Sequence, residues 1–169
     1  MKWISVKRKI AFLGVNHLFK GTRCFTWKRN LLRWAGFDIG DGTKVVGPVF
    51  CTGKFSIGRD CWIGRDLRIE GNGWVRIGDN CDLAPSIMFC TGGHAIGGPE
   101  RRAGEGQTYT IRVGSGSWIC ARATIAKNVT IGSGCVVASC ACVTEDMPSD
   151  VLIAGVPGKV IREFSHESS

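Results

Sequence analysis

Residues 113–143, VGSGSWICARATIAKNVTIGSGCVVASCACV, decide the fold: an aliphatic residue returns at every sixth place, as Val113, Ile119, Ile125, Ile131, Val137 and Val143. Residues six apart lie on different sides of an α-helix, so this period excludes a helical face. The same beat runs through the first half as Ile39, Val45, Cys51, Ile57, Ile63 and Ile69. After a two-residue slip it resumes as Ile77, Leu83 and Phe89. The residue after an anchor is often small, as at Gly40, Gly58, Gly64, Gly78, Ala84, Gly114, Ala126, Gly132 and Ala138. Four places after each anchor stands another small or apolar group, among them Thr43, Val49, Cys61, Cys81, Ser117, Ala123 and Cys135.

A prism wound from short strands accounts for the pattern. Each strand sends one anchor inward, and a small residue then lets the chain turn a corner without a clash. Three strands close a coil, and stacked coils pair strand over strand in parallel. The expectation is an all-β parallel β-helix of about five coils, at 39–56, 57–76, 77–94, 113–130 and 131–148. Two stretches lack the period. Residues 1–36 form a cap with one or two short amphipathic helices, for example around Lys28–Ala35. Residues 95–112, AIGGPERRAGEGQTYTIR, leave the prism as a polar, glycine-rich loop, the kind of excursion that tends to carry function. The chain thus divides into a cap (1–36), a β-helix (37–150) and a closing segment (151–169).

The net charge of +8 suggests a nucleic-acid binder until its distribution is read. Residues 1–37 hold nine Lys and Arg and no Asp or Glu, leaving 13 basic against 14 acidic residues in the remainder. The basicity therefore belongs to the N-terminus of a near-neutral body, and no nucleic-acid partner is expected. Trp3, Phe12, Phe19, Phe25, Trp27, Trp34 and Phe37 interleave with these cations. Two readings stay open: the apolar groups cap the open end of the prism with the cations solvated, or the segment lies on an anionic membrane surface. Ile10–Phe19 is broken by Asn16 and His17, so it makes a poor signal peptide. No run reaches the 18 apolar residues of a spanning helix. The expected place is the cytoplasm, free or at the inner face of the membrane. Nine cysteines match neither paired CxxC zinc knuckles nor a disulfide framework, and most of them read as small buried hydrophobes in a reducing compartment.

The hexapeptide run, the segment TGGH at Thr91–His94 opening the loop, and the block from Val113 to Glu163 resemble the bacterial hexapeptide-repeat acetyltransferases. These include the galactoside and maltose enzymes and, more closely, the O-acetyltransferases of capsule and O-antigen assembly. The resemblance covers residues 37–163. It implies a left-handed β-helix, a homotrimer with active sites between subunits, and acetyl-CoA as acyl donor. His94 takes the place of the family's general base, and histidine as a residue type titrates near neutrality. Three histidines (His17, His94 and His166), with no paired carboxylates beside His94, do not assemble a zinc site, so no metal is expected. The orienting partner of His94 stays open among Asp82, two strands earlier and so at the same level on another face, from which it could meet the His94 of a neighbouring subunit in a trimer, Asn72, one coil below, and a backbone carbonyl. The Asn72–Trp74 stretch matches a place that contacts the acceptor, and Trp118 matches the tryptophan beside the reaction centre. Coenzyme A would be held by backbone near Ala121 and Ser139, by the Thr144 region, and by Lys159 with Arg162. Two departures stand out: Glu145 where many members have Lys, and Gly64 where the galactoside enzymes place an acceptor-binding asparagine. Glu100, Arg101, Arg102 and Glu105 of the loop offer themselves to an anionic acceptor. The expected reaction is acetylation of a sugar hydroxyl during surface polysaccharide synthesis. The alternatives are N-acetylation of an amino-sugar nucleotide or an antibiotic, and a non-catalytic scaffold.

Overall fold

The computed structural model describes residues 2–19 and 21–165, with side chains from Val6 onward. The side chains of Lys2 and Trp3, and Lys20, which contributed to the basic, aromatic N-terminus above, lie outside the described residues.

Three parallel sheets form the faces of a prism. The first carries Asp38–Ile39, Lys54–Ile57, Trp74–Ile77, Thr110–Val113 and Thr130–Ile131. The second stacks Lys44–Val45, Trp62–Ile63, Asp82–Leu83, Trp118–Ile119, Val136–Val137 and Val151–Ala154, and ends in an antiparallel strand, Lys159–Glu163. The third stacks Val49–Cys51, Leu67–Glu70, Met88–Cys90, Thr124–Ala126 and Cys142–Val143. Five coils are complete. A sixth begins with the bridge from Ile131 to Met147 and stops after the second face. Every hexapeptide anchor except the half-buried Cys51 is buried in one continuous core. Each such aliphatic side chain contributes about 1.5–3 kcal/mol relative to exposure.

The small residues after the anchors answer to the close approach of neighbouring coils. A Cβ on Gly58 would stand 2.6 Å from the carbonyl carbon of Gly78. The polar residues four places after the first-face anchors have a different task. Thr43 Oγ1 accepts from the Cys61 N–H (3.1 Å), Cys61 Sγ from the Cys81 N–H (3.3 Å), and Ser117 Oγ from the Cys135 N–H (3.2 Å). Each in turn donates to a carbonyl of the next coil, as Cys61 does to Gly78 and Cys81 to Gly114. Three of the nine cysteines are thus fully buried corner bridges. The hydrogen bond with Cys61, and then burial, push the Cys81 thiol well above its ordinary value, and burial pushes Cys51 up to about 12. Cys24 and Cys140 are exposed, so the reading of cysteines as buried hydrophobes does not extend to them.

Helix α1 (Lys2–Leu13), a π-helical turn at Gly14–Leu18, and helix α2 (Phe25–Trp34) close the lower end of the prism. Ala11, Val15, Leu32 and Ala35 join the β-helix core, and Phe37 stacks on Phe55 at 4.2 Å. The cations here are not all solvated. An end coil has carbonyls that no further strand pairs, and the cap's side chains satisfy them. Arg33 Nε donates to Ile39 O (2.6 Å), Arg29 to Thr43 O (3.3 Å), Asn16 Nδ2 to Val49 O (2.9 Å) and Arg8 to Gly53 O (3.1 Å). Lys28 is fully buried, with Nζ donating to Val46 O (2.8 Å) and to Gly21 O. Among the described residues, four of these cations, Arg8, Lys28, Arg29 and Arg33, are therefore structural.

The excursion is ordered where a loop was expected. Gly92–Ile96 pairs antiparallel with Ala103–Thr108, and the first face resumes at Thr110. A hairpin occupies residues 92–108.

Candidate active site

His94 stands on the first strand of this hairpin, opposite Gly106, just before a register shift between His94 and Ile96. Such a bulge re-aims a side chain at a strand end. His94 Nδ1 lies 2.9 Å from the carbonyl oxygen of Gly104. A carbonyl only accepts, so Nδ1 carries a proton, and in the neutral imidazole the lone pair is then on Nε2. The ring is exposed and lines a cavity of about 610 Å³ with Glu70, Gly71, Asn72, Gly93 and Gln107. Asn72 and His94 are thus brought together, as their one-coil separation suggested. Gly71 makes this possible: its φ is +104°, and Gly92 packs directly against its Cα.

Asp82 lies elsewhere. It is exposed on the second face, level with Trp62 on one side and Trp118 on the other. These three side chains, with Leu83, Ala84 and Pro85, line a cleft of about 400 Å³ that does not include His94. Within one chain, the orienting partner of His94 is the Gly104 carbonyl. Trp74 does not line the His94 cavity either. It points from the first face, where the Arg76 guanidinium stacks on it at 4.0 Å and Lys54 Nζ lies 6.0 Å away. It borders a small cavity with Arg8, Phe37 and Phe55.

Ala121 and Ser139 sit one coil apart at the corner between the second and third faces, with Cys140 N–H donating to Ala121 O at 3.0 Å. Thr144 follows the strand Cys142–Val143, half-buried. Lys159 is paired with Glu145 at 3.0 Å, so the residue that departs from the family pattern neutralises the cation expected to meet a phosphate. Arg162 is exposed, 5.0 Å from the Phe164 ring. The loop charges Glu100, Arg101 and Arg102 lie exposed at the far end of the hairpin, where Arg102 Nη1 donates to Gly97 O at 3.3 Å; Glu105, also exposed, stands on the second strand between Gly104 and Gly106, across from His94. Among the described residues no group of three or more His, Cys, Asp or Glu is placed to hold a metal ion.

Two features were not anticipated. Trp62 joins Asp82 and Trp118 in one register row, and the signal was available: each stands one place before an anchor, at Ile63, Leu83 and Ile119. The second is a cavity of about 770 Å³ between the cap and the first coils, bordered by His17, Val46, Pro48, Phe50, Gly64 and Arg65. It shares Trp62 and Pro85 with the Asp82–Trp118 cleft. No periodicity could announce it, because its wall is assembled from the cap and three coils.

A six-repeat family described as bacterial transferase hexapeptide matches residues 110–145. The galactoside O-acetyltransferase of Escherichia coli (strain K12) is 32% identical over 140 residues, covering 82% of this chain and 69% of that protein. WcaF of the same organism, described as a colanic acid biosynthesis acetyltransferase, is 30% identical over 146 residues, covering 82% and 76%. Among solved structures, a hexapeptide-repeat acetyltransferase of Vibrio cholerae complexed with acetyl coenzyme A superposes with a TM-score of 0.82 at 25% identity, covering 97% of this chain and 88% of that one. A galactoside acetyltransferase in complex with coenzyme A gives 0.71 at 30% identity, covering 98% and 84%. The fold together with these relatives marks the chain as an acyl-transferring enzyme. This chain belongs to the hexapeptide-repeat acetyltransferase family.

Proposed function

We propose that this acetyltransferase moves the acetyl group of acetyl-CoA to a sugar hydroxyl during surface polysaccharide synthesis, with His94 as general base. The observation that carries the reading is the His94–Gly104 hydrogen bond, which fixes the tautomer that leaves Nε2 free. In the reaction Nε2 takes the hydroxyl proton as the oxygen attacks the thioester carbonyl. A nearby donor stabilises the tetrahedral oxyanion. Its collapse breaks the carbon–sulfur bond, and the CoA thiolate receives the proton from the imidazolium.

The working unit of this proposal is a homotrimer. The His94–Asn72 cavity and the Trp62–Asp82–Trp118 cleft are separate in one chain, and a neighbouring subunit supplies the second to the first. Asn72 contacts the saccharide, Trp118 packs against acceptor or pantetheine, and Asp82 faces the neighbour's histidine. Trp74 joins the acceptor only if a subunit boundary covers the first face. Coenzyme A runs along the corner of Ala121 and Ser139 towards Thr144, with Lys159 and Arg162 near its phosphates. The polysaccharide setting draws support from the description of WcaF. The test is release of free CoA thiol from acetyl-CoA over a panel of sugars, amino-sugar nucleotides and polysaccharide fragments. Turnover with hydroxyl acceptors supports the reading; turnover confined to amines contradicts it.

A further inference from the structure

We propose that the outer face of the helical cap is a docking surface for an anionic lipid bilayer. The proposal is independent of the chemistry at His94.

Two stripes of the cap face inward, Ala11 on α1 with Val15 of the π-turn, and Lys28 and Leu32 on α2 with Ala35 just after it, all buried. The outward side is set by how the helices meet. Lys7 Nζ lies 5.2 Å over the Trp34 ring, and the Cα of Gly14 abuts Leu31, so the helices run antiparallel. Ile10 shares a stripe with Lys7 and Gly14, being three places from one and four from the other. Trp27 shares a stripe with Leu31 and Trp34 by the same spacing. The seam between the helices therefore presents Ile10, Trp27 and Trp34 to solvent, with Val6 and Leu13 beside Ile10 on α1. Trp27 is 68% exposed, and Leu18 at the end of the π-turn is 73% exposed. A clustered apolar surface of this kind calls for a partner.

Charge selects the partner. Arg8, Lys28, Arg29 and Arg33 are spent on backbone carbonyls of the prism, as described above. Lys9 and Arg23 are exposed, and Lys7 sits on the seam. The sequence has no Asp or Glu before Asp38. Tryptophans flanked by cations without anions suit the headgroup region of a bilayer with negative lipids, where the ring lies at the interface and the cations meet phosphate. No described helix is long and apolar enough to cross a membrane, so the contact is peripheral.

The experiment is co-sedimentation of the whole protein with vesicles of phosphatidylcholine alone or with about one third phosphatidylglycerol. The variants are Trp27→Ser/Trp34→Ser and Lys9→Glu/Arg23→Glu, with coenzyme A binding and oligomeric mass as folding controls. The expected result is binding to the anionic vesicles only, weakened by salt and lowered at least tenfold in each variant with both controls unchanged. Three outcomes overturn the proposal: no binding to anionic vesicles at low salt, binding indifferent to both variants, or a tryptophan variant that changes the oligomeric mass, which would make the seam an interface between copies of this chain.

Discussion

The Nδ1 of His94 lies 2.9 Å from the carbonyl oxygen of Gly104, so the imidazole is oriented by the backbone of its own hairpin rather than by a carboxylate of its own chain. Trp62 and Trp118, which the proposed trimer would bring to this histidine from a neighbouring subunit, stand on another face, in register with Asp82. A site divided between subunits can be complemented. Chains carrying His94→Ala and chains carrying Trp118→Ala, each with little thiol release alone, should regain a substantial fraction of wild-type release when co-expressed, because some mixed interfaces carry neither lesion. Failure to regain activity in verified mixed trimers would place both residues in one subunit's site.

Gly71 holds the coil on which the hairpin rests. Its φ of +104° disfavours any side chain, and an added Cβ would meet the backbone of Gly92. Gly71→Ala should cost about 2 kcal/mol or more of stability. It should also lower acetyl transfer more than it lowers coenzyme A binding, as read by thermal unfolding and thiol release.

Lys28 is the buried cation of the cap. Lys28→Met strips donors from the carbonyls of Gly21 and Val46 and should destabilise the protein by about 1–3 kcal/mol at neutral pH. Burial holds the folded-state pKa of Lys28 below its ordinary value of 10.5. Between the depressed value and the ordinary one the unfolded chain binds more protons, so this group's contribution to stability rises with pH there. The stability gap between wild type and Lys28→Met should therefore widen as pH approaches 10.5 in denaturant titrations.

Glu145 competes for Lys159, 3.0 Å away. The pair is exposed, so Glu145→Gln should change stability by less than about 1 kcal/mol. Freeing Lys159 and removing a negative charge should tighten coenzyme A severalfold at low salt, an effect that fades as salt screens it. Calorimetric titration at two ionic strengths reads both.

The period of six made the prism legible because a buried ladder tolerates only apolar residues at its rungs, and Ile119, Ile125 and Ile131 are all fully buried. His94 stood out where the repeat stopped. The hairpin at 92–108 stayed hidden because its strands, GGHAI and AGEGQT, lie off the core and carry no apolar alternation. Arg8, Arg29 and Arg33 read as solvated charges, since sequence does not show which carbonyls an end coil leaves unpaired. The two-strand spacing put Asp82 on another face from His94, and the structure has it there. That Trp74 does not line the His94 cavity with Asn72 was not legible, since spacing gives level along the prism but not which cavity a side chain borders.

The central claim is that His94 is the base. His94→Ala should lower thiol release with a verified acceptor by on the order of a hundredfold or more, while coenzyme A binds with wild-type affinity. Undiminished turnover in that variant, with coenzyme A still bound, would contradict the account.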